Sequence, residues 1–172
     1  MSETAPDVLL RWKEHPSHFV REVFGVTPDP WQDEALEAFP TSPRLAMKAC
    51  AGPGKTAVLS WIGWNFLLTR PHSIGGATSV NGANLRASLW TELARWRAKS
   101  PILERQFEQT QKAIFSRDYP NTWKLEARTW AQDADAQQIG NALAGLHGKF
   151  VLWLLDETGD YPDAVMPVCE GI

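Results

Sequence analysis

The sequence predicts an α/β domain built on a doubly wound, mostly parallel sheet, and three observations lead there. Apolar runs of strand length alternate with helical patterns along the chain. The run from Phe150 to Leu155 is apolar throughout, as a strand buried on both faces of a parallel sheet requires. A glycine-containing turn, Gly52-Pro53-Gly54, joins a short apolar run to a strongly apolar helix, the order of strand, turn and helix in a βα unit. The 172 residues, 44% of them hydrophobic, suit one domain of ordinary size. No internal repeat or low-complexity linker divides them, and the chain separates into an N-terminal helical segment, 1–40, and a core, 41–172.

Helical patterns occupy residues 16–24 and 31–39, the second opened by Pro30 near its first turn. Residues 44–49 read as a short strand, and the helix after the glycine turn runs from 55 to 68. A strand at 73–78 and a turn at Asn81-Gly82 follow, then a helix at 84–98 carrying Leu85, Leu89, Leu93 and Trp96 at helical spacing. Pro101 restarts a shorter helix, and 111–126 hold one or two short strands around the turn Asp118-Tyr119-Pro120-Asn121. A polar helix at 131–138 and a loop at 140–149 lead into the apolar strand. Most of the nine tryptophans serve as core or groove filler, because large aromatics dominate buried area.

The net charge of −3 hides an uneven distribution. Residues 1–43 carry 3 basic and 8 acidic side chains, 44–128 carry 13 and 5, and 129–172 carry 1 and 7. A basic middle between acidic ends is compatible with a phosphate-facing surface, of nucleotide or nucleic acid. Cys50 and Cys169 are far apart and outside any CxxC spacing, which argues against a disulfide framework and against a zinc site. With no leader-like N-terminus and no apolar run of spanning length, a cytosolic, non-membrane chain is expected.

Candidate chemistry concentrates at two places. Ala49 to Thr56 (ACAGPGKT) reads as a P-loop: glycines let backbone N–H groups turn inward around phosphate, and the helix N-terminus adds partial positive charge. Gly52, Pro53, Gly54, Lys55, Thr56 and Ala57 are the phosphate-binding candidates. Lys55 would reach the outer phosphates, and Thr56 would hold Mg²⁺. The second place is Leu154-Leu155-Asp156-Glu157, where a buried strand ends in two carboxylates, as in a Walker B element. Asp156 would bind Mg²⁺ through water, and Glu157 would orient and deprotonate the attacking water. Upstream, Gln32 could pair with an adenine edge while Trp31 stacks beside the base. His15 and His18 have no cysteine or carboxylate cluster near them in sequence and read as capping or surface residues.

The order WQDEAL, AGPGKTAVLSWIGW, LWTELARW and GLHGKFVLWLLDETGDYPDAV resembles the N-terminal ATPase domain of the large terminase subunit of tailed bacteriophages, over about residues 16–172. The resemblance implies a RecA-like P-loop core with a mostly parallel sheet, incomplete at the C-terminus. It implies an ATP hydrolase using ATP and Mg²⁺ that drives double-stranded DNA into a procapsid. Lys55 and Glu157 would be catalytic, Thr56 and Asp156 would hold the metal, and Gln32 would read adenine. The implied partners are DNA, a portal protein, a small terminase subunit and a homo-oligomeric ring, in the bacterial host cytoplasm. The segment 77–82 (ATSVNG) matches the family's strand-to-helix element near the nucleic acid. A helicase-type P-loop translocase shares both motifs, and a truncated nucleotide-binding module without turnover is the third reading.

Two departures bear on turnover. The P-loop carries no arginine, and His147 stands where some terminases place one, so the arginine finger is unassigned among Arg86, Arg95, Arg97 and Arg128. Only 15 residues follow Glu157, so the strand for a γ-phosphate sensor and a nuclease domain are expected to lie outside this chain.

Overall fold

A computed structural model describes residues 3–48, 52, 54–131 and 133–171. Three short helices, α1 (Ala5–Glu14), α2 (Pro16–Phe24) and α3 (Pro30–Ala38), precede the long α4 (Lys55–Thr69). Strand β1 (Ile74–Thr78) follows, then α5 (Gly82–Leu85), a π-helical turn (Arg86–Trp90), α6 (Thr91–Ala98) and α7 (Pro101–Gln106). Strands β2 (Phe107–Gln109), β3 (Ala113–Ser116) and β4 (Lys124–Ala127) lead to α8 (Ala136–Leu143), β5 (Val151–Leu155) and α9 (Val165–Glu170).

The five strands form one sheet in the order β2-β3-β4-β1-β5. Strand β1 pairs in parallel with β4 and β5, whereas β2–β3 and β3–β4 are antiparallel. The mostly parallel, RecA-like sheet expected from the sequence is therefore incorrect: the sheet is mixed. The cause is loop length. Residues 110–112 and 117–123 are all that separate β2 from β3 and β3 from β4. A parallel return needs a crossover of about a dozen residues or more, so these connections permit only antiparallel neighbours.

Two further expectations change with it. Residues 44–48 form no strand, although Leu45 and Met47 pack against the core. The apolar run at 150–155 is not doubly buried. As β5 it pairs, among the described residues, only with β1, and of its own residues only Leu154 is fully buried.

Helix α4 organises the core. It is apolar on every side, the pattern of a helix enclosed by neighbours. It packs against α1, α2, α3 and α6 and against β5. Asn65 Nδ2 donates to Trp12 O at 2.7 Å, and Trp64 Nε1 donates to Leu93 O at 3.0 Å, tying α4 to α1 and α6. On the other sheet face, Ile139, Leu143 and Val165 of α8 and α9 form a smaller cluster with Trp153. Gly76 of β1 lies directly beneath the Trp153 ring, where any Cβ would collide. Trp64 is fully buried and edge-on to Phe107. Trp64→Ala should cost about 3–5 kcal/mol of stability, read as a lower denaturant midpoint, and an unchanged midpoint would contradict this packing.

The sheet is bound to α8 by charge as well. Arg128 donates to Glu126 Oε2 at 2.6 Å and to Ala144 O at 2.9 Å, near the C-terminus of α8. Burial opposes ionisation of Glu126, but hydrogen bonds from Lys124 and Arg128 outweigh it and hold the carboxyl below its ordinary 4.5. A group lowered in this way adds stability above pH 4.5 and loses it as the pH falls through the lowered value. Glu126→Gln should accordingly lose less stability than the wild type on acidification below pH 4.5. Identical acid limbs in denaturant titrations of the two proteins would refute this.

Candidate functional site

The parallel trio β4-β1-β5 sets the site. Thr78 and Leu155 are register partners, so β1 and β5 end side by side. Asp156 continues that ladder, donating its N–H to Thr78 O at 3.0 Å. Its side chain is 5% exposed, and Oδ2 accepts from Ser88 Oγ at 2.8 Å. The carbonyl of Asp156 accepts from the Tyr161 hydroxyl at 2.7 Å. Burial, and then the Asp156 charge, push the Tyr161 hydroxyl well above its ordinary value, so it remains a donor.

Glu157 turns out of this frame. It adopts φ 55°, a left-handed conformation that non-glycine residues rarely take, and its carboxylate is exposed. Asn84 Nδ2 reaches Glu157 Oε2 at 3.3 Å. Asn84 and Ser88 therefore approach the two adjacent carboxylates from one helical segment. Ser79, next to Thr78, is fully buried, and its hydroxyl has no hydrogen-bond partner among the described residues. Thr78 and Ser79 of segment 77–82 thus lie under the site, and Asn81 caps α5 by accepting from Asn84 N–H at 2.9 Å.

The direction of α4 follows from its short return to β1. The helix returns into β1 through residues 70–73, so its axis runs opposite to the strand and its N-terminus points toward the strand's C-terminal end. A Cβ at Gly63 would lie 2.9 Å from Leu154 Cδ1, fixing where α4 crosses β5. From there Lys55 is eight residues, about 12 Å, further along the helix. Asp156 is two residues, roughly 7 Å, further along the strand. Lys55, Thr56 and Ala57 are half-buried in the first turn. Gly52 and Gly54 hold φ 82° and 89°, the backbone that a phosphate cradle asks of its glycines. Pro53, with Ala49, Cys50 and Ala51, lies outside the described residues.

The base-recognition candidates are arranged differently from a free amide beside an aromatic. Gln32 is buried, and its Oε1 accepts the Asp29 N–H at 2.9 Å in the capping box of α3. Its Nε2 is turned to the loop, 2.7 Å from where a Cβ on Gly54 would stand. Trp31 is half-buried beside an open, mostly apolar groove formed with Ala35, Ala38, Leu45 and Met47, with Glu34 and Lys48 also lining it.

Of the arginine candidates, Arg95 pairs with Glu92 at 2.8 Å, Arg97 donates to Phe107 O at 3.1 Å, and Arg128 is bound in the α8 contact. Arg86 is exposed beside Gly82, and its guanidinium makes no hydrogen bond or ion pair among the described residues. His147 lies before β5, at the opposite end of that strand from the carboxylates. His15 precedes α2 and bonds Glu37 at 2.9 Å, and His18 lies beside Arg11. Burial and then Glu170 push the Cys169 thiol up to about 11, which leaves it unreactive at neutral pH.

No group of three or more His, Cys, Asp or Glu side chains able to hold a metal ion occurs among the described residues. Mg²⁺ at nucleotide sites typically takes one or two protein ligands with phosphate oxygens and water, and the buried Asp156 carboxylate with a threonine hydroxyl is a donor set of that kind. The orphaned Ser79 hydroxyl adds a polar group at the same place. No helix of the described residues is long and apolar enough to cross a membrane. Comparison with known proteins gave no match: no family model fits the chain, and no curated protein or solved structure aligns with it.

Proposed function

We propose that this chain binds ATP with Mg²⁺ and hydrolyses it, as the motor domain of a DNA-packaging terminase. The reading is supported by chain direction: α4 returns to β1 through four residues and crosses β5 at Gly63 and Leu154, which directs its N-terminal turn toward the sheet end where Asp156 and Glu157 follow β5. In this reading Gly52, Gly54 and the first amides of α4 cradle the phosphates, and Lys55 neutralises their outer oxygens. Thr56 and Asp156 hold Mg²⁺, which supplies charge neutralisation at the transferring phosphoryl group. Glu157 accepts the proton of the attacking water, being exposed and anchored through Asn84. Trp31 and its groove receive the base, with Gln32 offering its Nε2 donor because Oε1 already serves α3.

The mixed sheet is compatible with this reading, because β2 and β3 extend it on the side away from β5. DNA would be gripped by lysines and arginines of 44–128 on phosphates, without base readout. The DNA, portal, small-subunit and ring partners rest on the terminase resemblance alone. One observation favours binding without turnover as a second reading. Arg95, Arg97 and Arg128 are engaged in structural contacts, so only Arg86 of the four is disposed to act on a transition state. Titration of the wild-type chain and Lys55→Ala with ATP in Mg²⁺ tests the shared core of both readings.

A further inference from the structure

Between α5 and α6 the helix is wound as a π turn, and Thr91 Oγ1 donates to Arg86 O at 2.7 Å across it. Such turns are rare and recur at functional sites, because one extra residue rotates the following side chains onto another face. Leu89 and Trp90 of this turn are buried in the core that holds α4, so the turn is fixed in place. Its polar product is Ser88, whose hydroxyl donates to Asp156 Oδ2 and not to Oδ1. The backbone of Asp156 is held independently, by Thr78 O on one side and the Tyr161 hydroxyl on the other. The Ser88 bond thus orients the carboxylate, while the ladder and Tyr161 hold its backbone.

We propose that Ser88 is a positioning residue for metal–nucleotide binding, fixing the Asp156 carboxylate so that it faces the Mg²⁺ of the bound nucleotide. This rests on the reading of Asp156 as the metal carboxylate. Partners that orient a ligating group change metal affinity by about 10–100-fold when removed. The test measures ATP affinity by calorimetry in Mg²⁺ and again in EDTA, for the wild type, Ser88→Ala, Ser88→Cys, Ser88→Thr and Asp156→Asn, with denaturant midpoints alongside. Ser88→Ala should lose at least about tenfold of the Mg²⁺-dependent gain in affinity while matching the wild type in EDTA. Ser88→Thr, which keeps the hydroxyl, should retain the gain, and Ser88→Cys should lose it, giving the same reading should the alanine variant not fold. A full gain in Ser88→Ala beside a lost gain in Asp156→Asn overturns the Ser88 role and leaves the site reading intact. Equal weakening of Ser88→Ala in Mg²⁺ and EDTA also overturns it, as a structural effect. A full gain in Asp156→Asn would instead remove the site reading on which the inference rests.

Discussion

Glu157→Gln should reduce ATP turnover by about 10²–10⁴-fold while ATP affinity stays near that of the wild type. The substitution keeps size and hydrogen bonding but removes the carboxylate charge that this reading assigns to taking a proton from water. The side chain is exposed, so little of the fold depends on it. Its backbone is the constrained element, since a left-handed non-glycine residue costs about 1–3 kcal/mol and persists only when its surroundings enforce it. Here the enforcing groups are the Thr78–Asp156 ladder bond and the Tyr161 hydroxyl on the Asp156 carbonyl. Phosphate release and nucleotide retention, measured on the same samples, check the expectation. Wild-type turnover in Glu157→Gln would exclude Glu157 as the base. Equal near-zero rates in both proteins would support binding without turnover.

Lys55→Ala should weaken ATP binding roughly 10–100-fold, the effect of removing a charged partner worth about 1.5–3 kcal/mol. Lys55 opens a helix whose buried residues begin at Val58, so the substitution alters the half-buried first turn and leaves the core of α4 intact. An unchanged denaturant midpoint should therefore accompany the loss of binding. Unchanged affinity would mean that the glycine turn and α4 do not form a phosphate site.

The elements of this fold that announce themselves locally were legible in the sequence. Proline at the start of α3, the apolar composition of α4 and the strand at 74–78 all follow from short-range pattern. Sheet direction was not legible from apolar runs, but it was implicit in spacing: the turn around Asp118–Asn121 leaves too few residues for anything except an antiparallel return. The run at 150–155 misled because an unbroken apolar strand suits a sheet centre, whereas among the described residues β5 has a single strand partner. The capping box of Asp29 and Gln32 was readable too, and it makes the glutamine part of a helix start before any ligand is considered.

At the site, the two carboxylates and Lys55-Thr56 follow from motif and order. Asn84, Ser88 and Tyr161 carry no motif. Asn84 and Ser88 are four residues apart, which marks one helix face, but only the pairing of β1 with β5 shows that this face meets Asp156 and Glu157. Tyr161 reaches Asp156 through the tight turn at Thr158–Asp160, which the composition does not foretell.

The most direct measurement is a calorimetric titration of the purified wild-type chain with ATP in Mg²⁺, repeated with Lys55→Ala. A nucleotide site at the junction of α4 and β5 predicts saturable binding at one ATP per chain, weakened at least about tenfold in Lys55→Ala. No saturable binding by the wild type, or equal binding by both proteins, would contradict it.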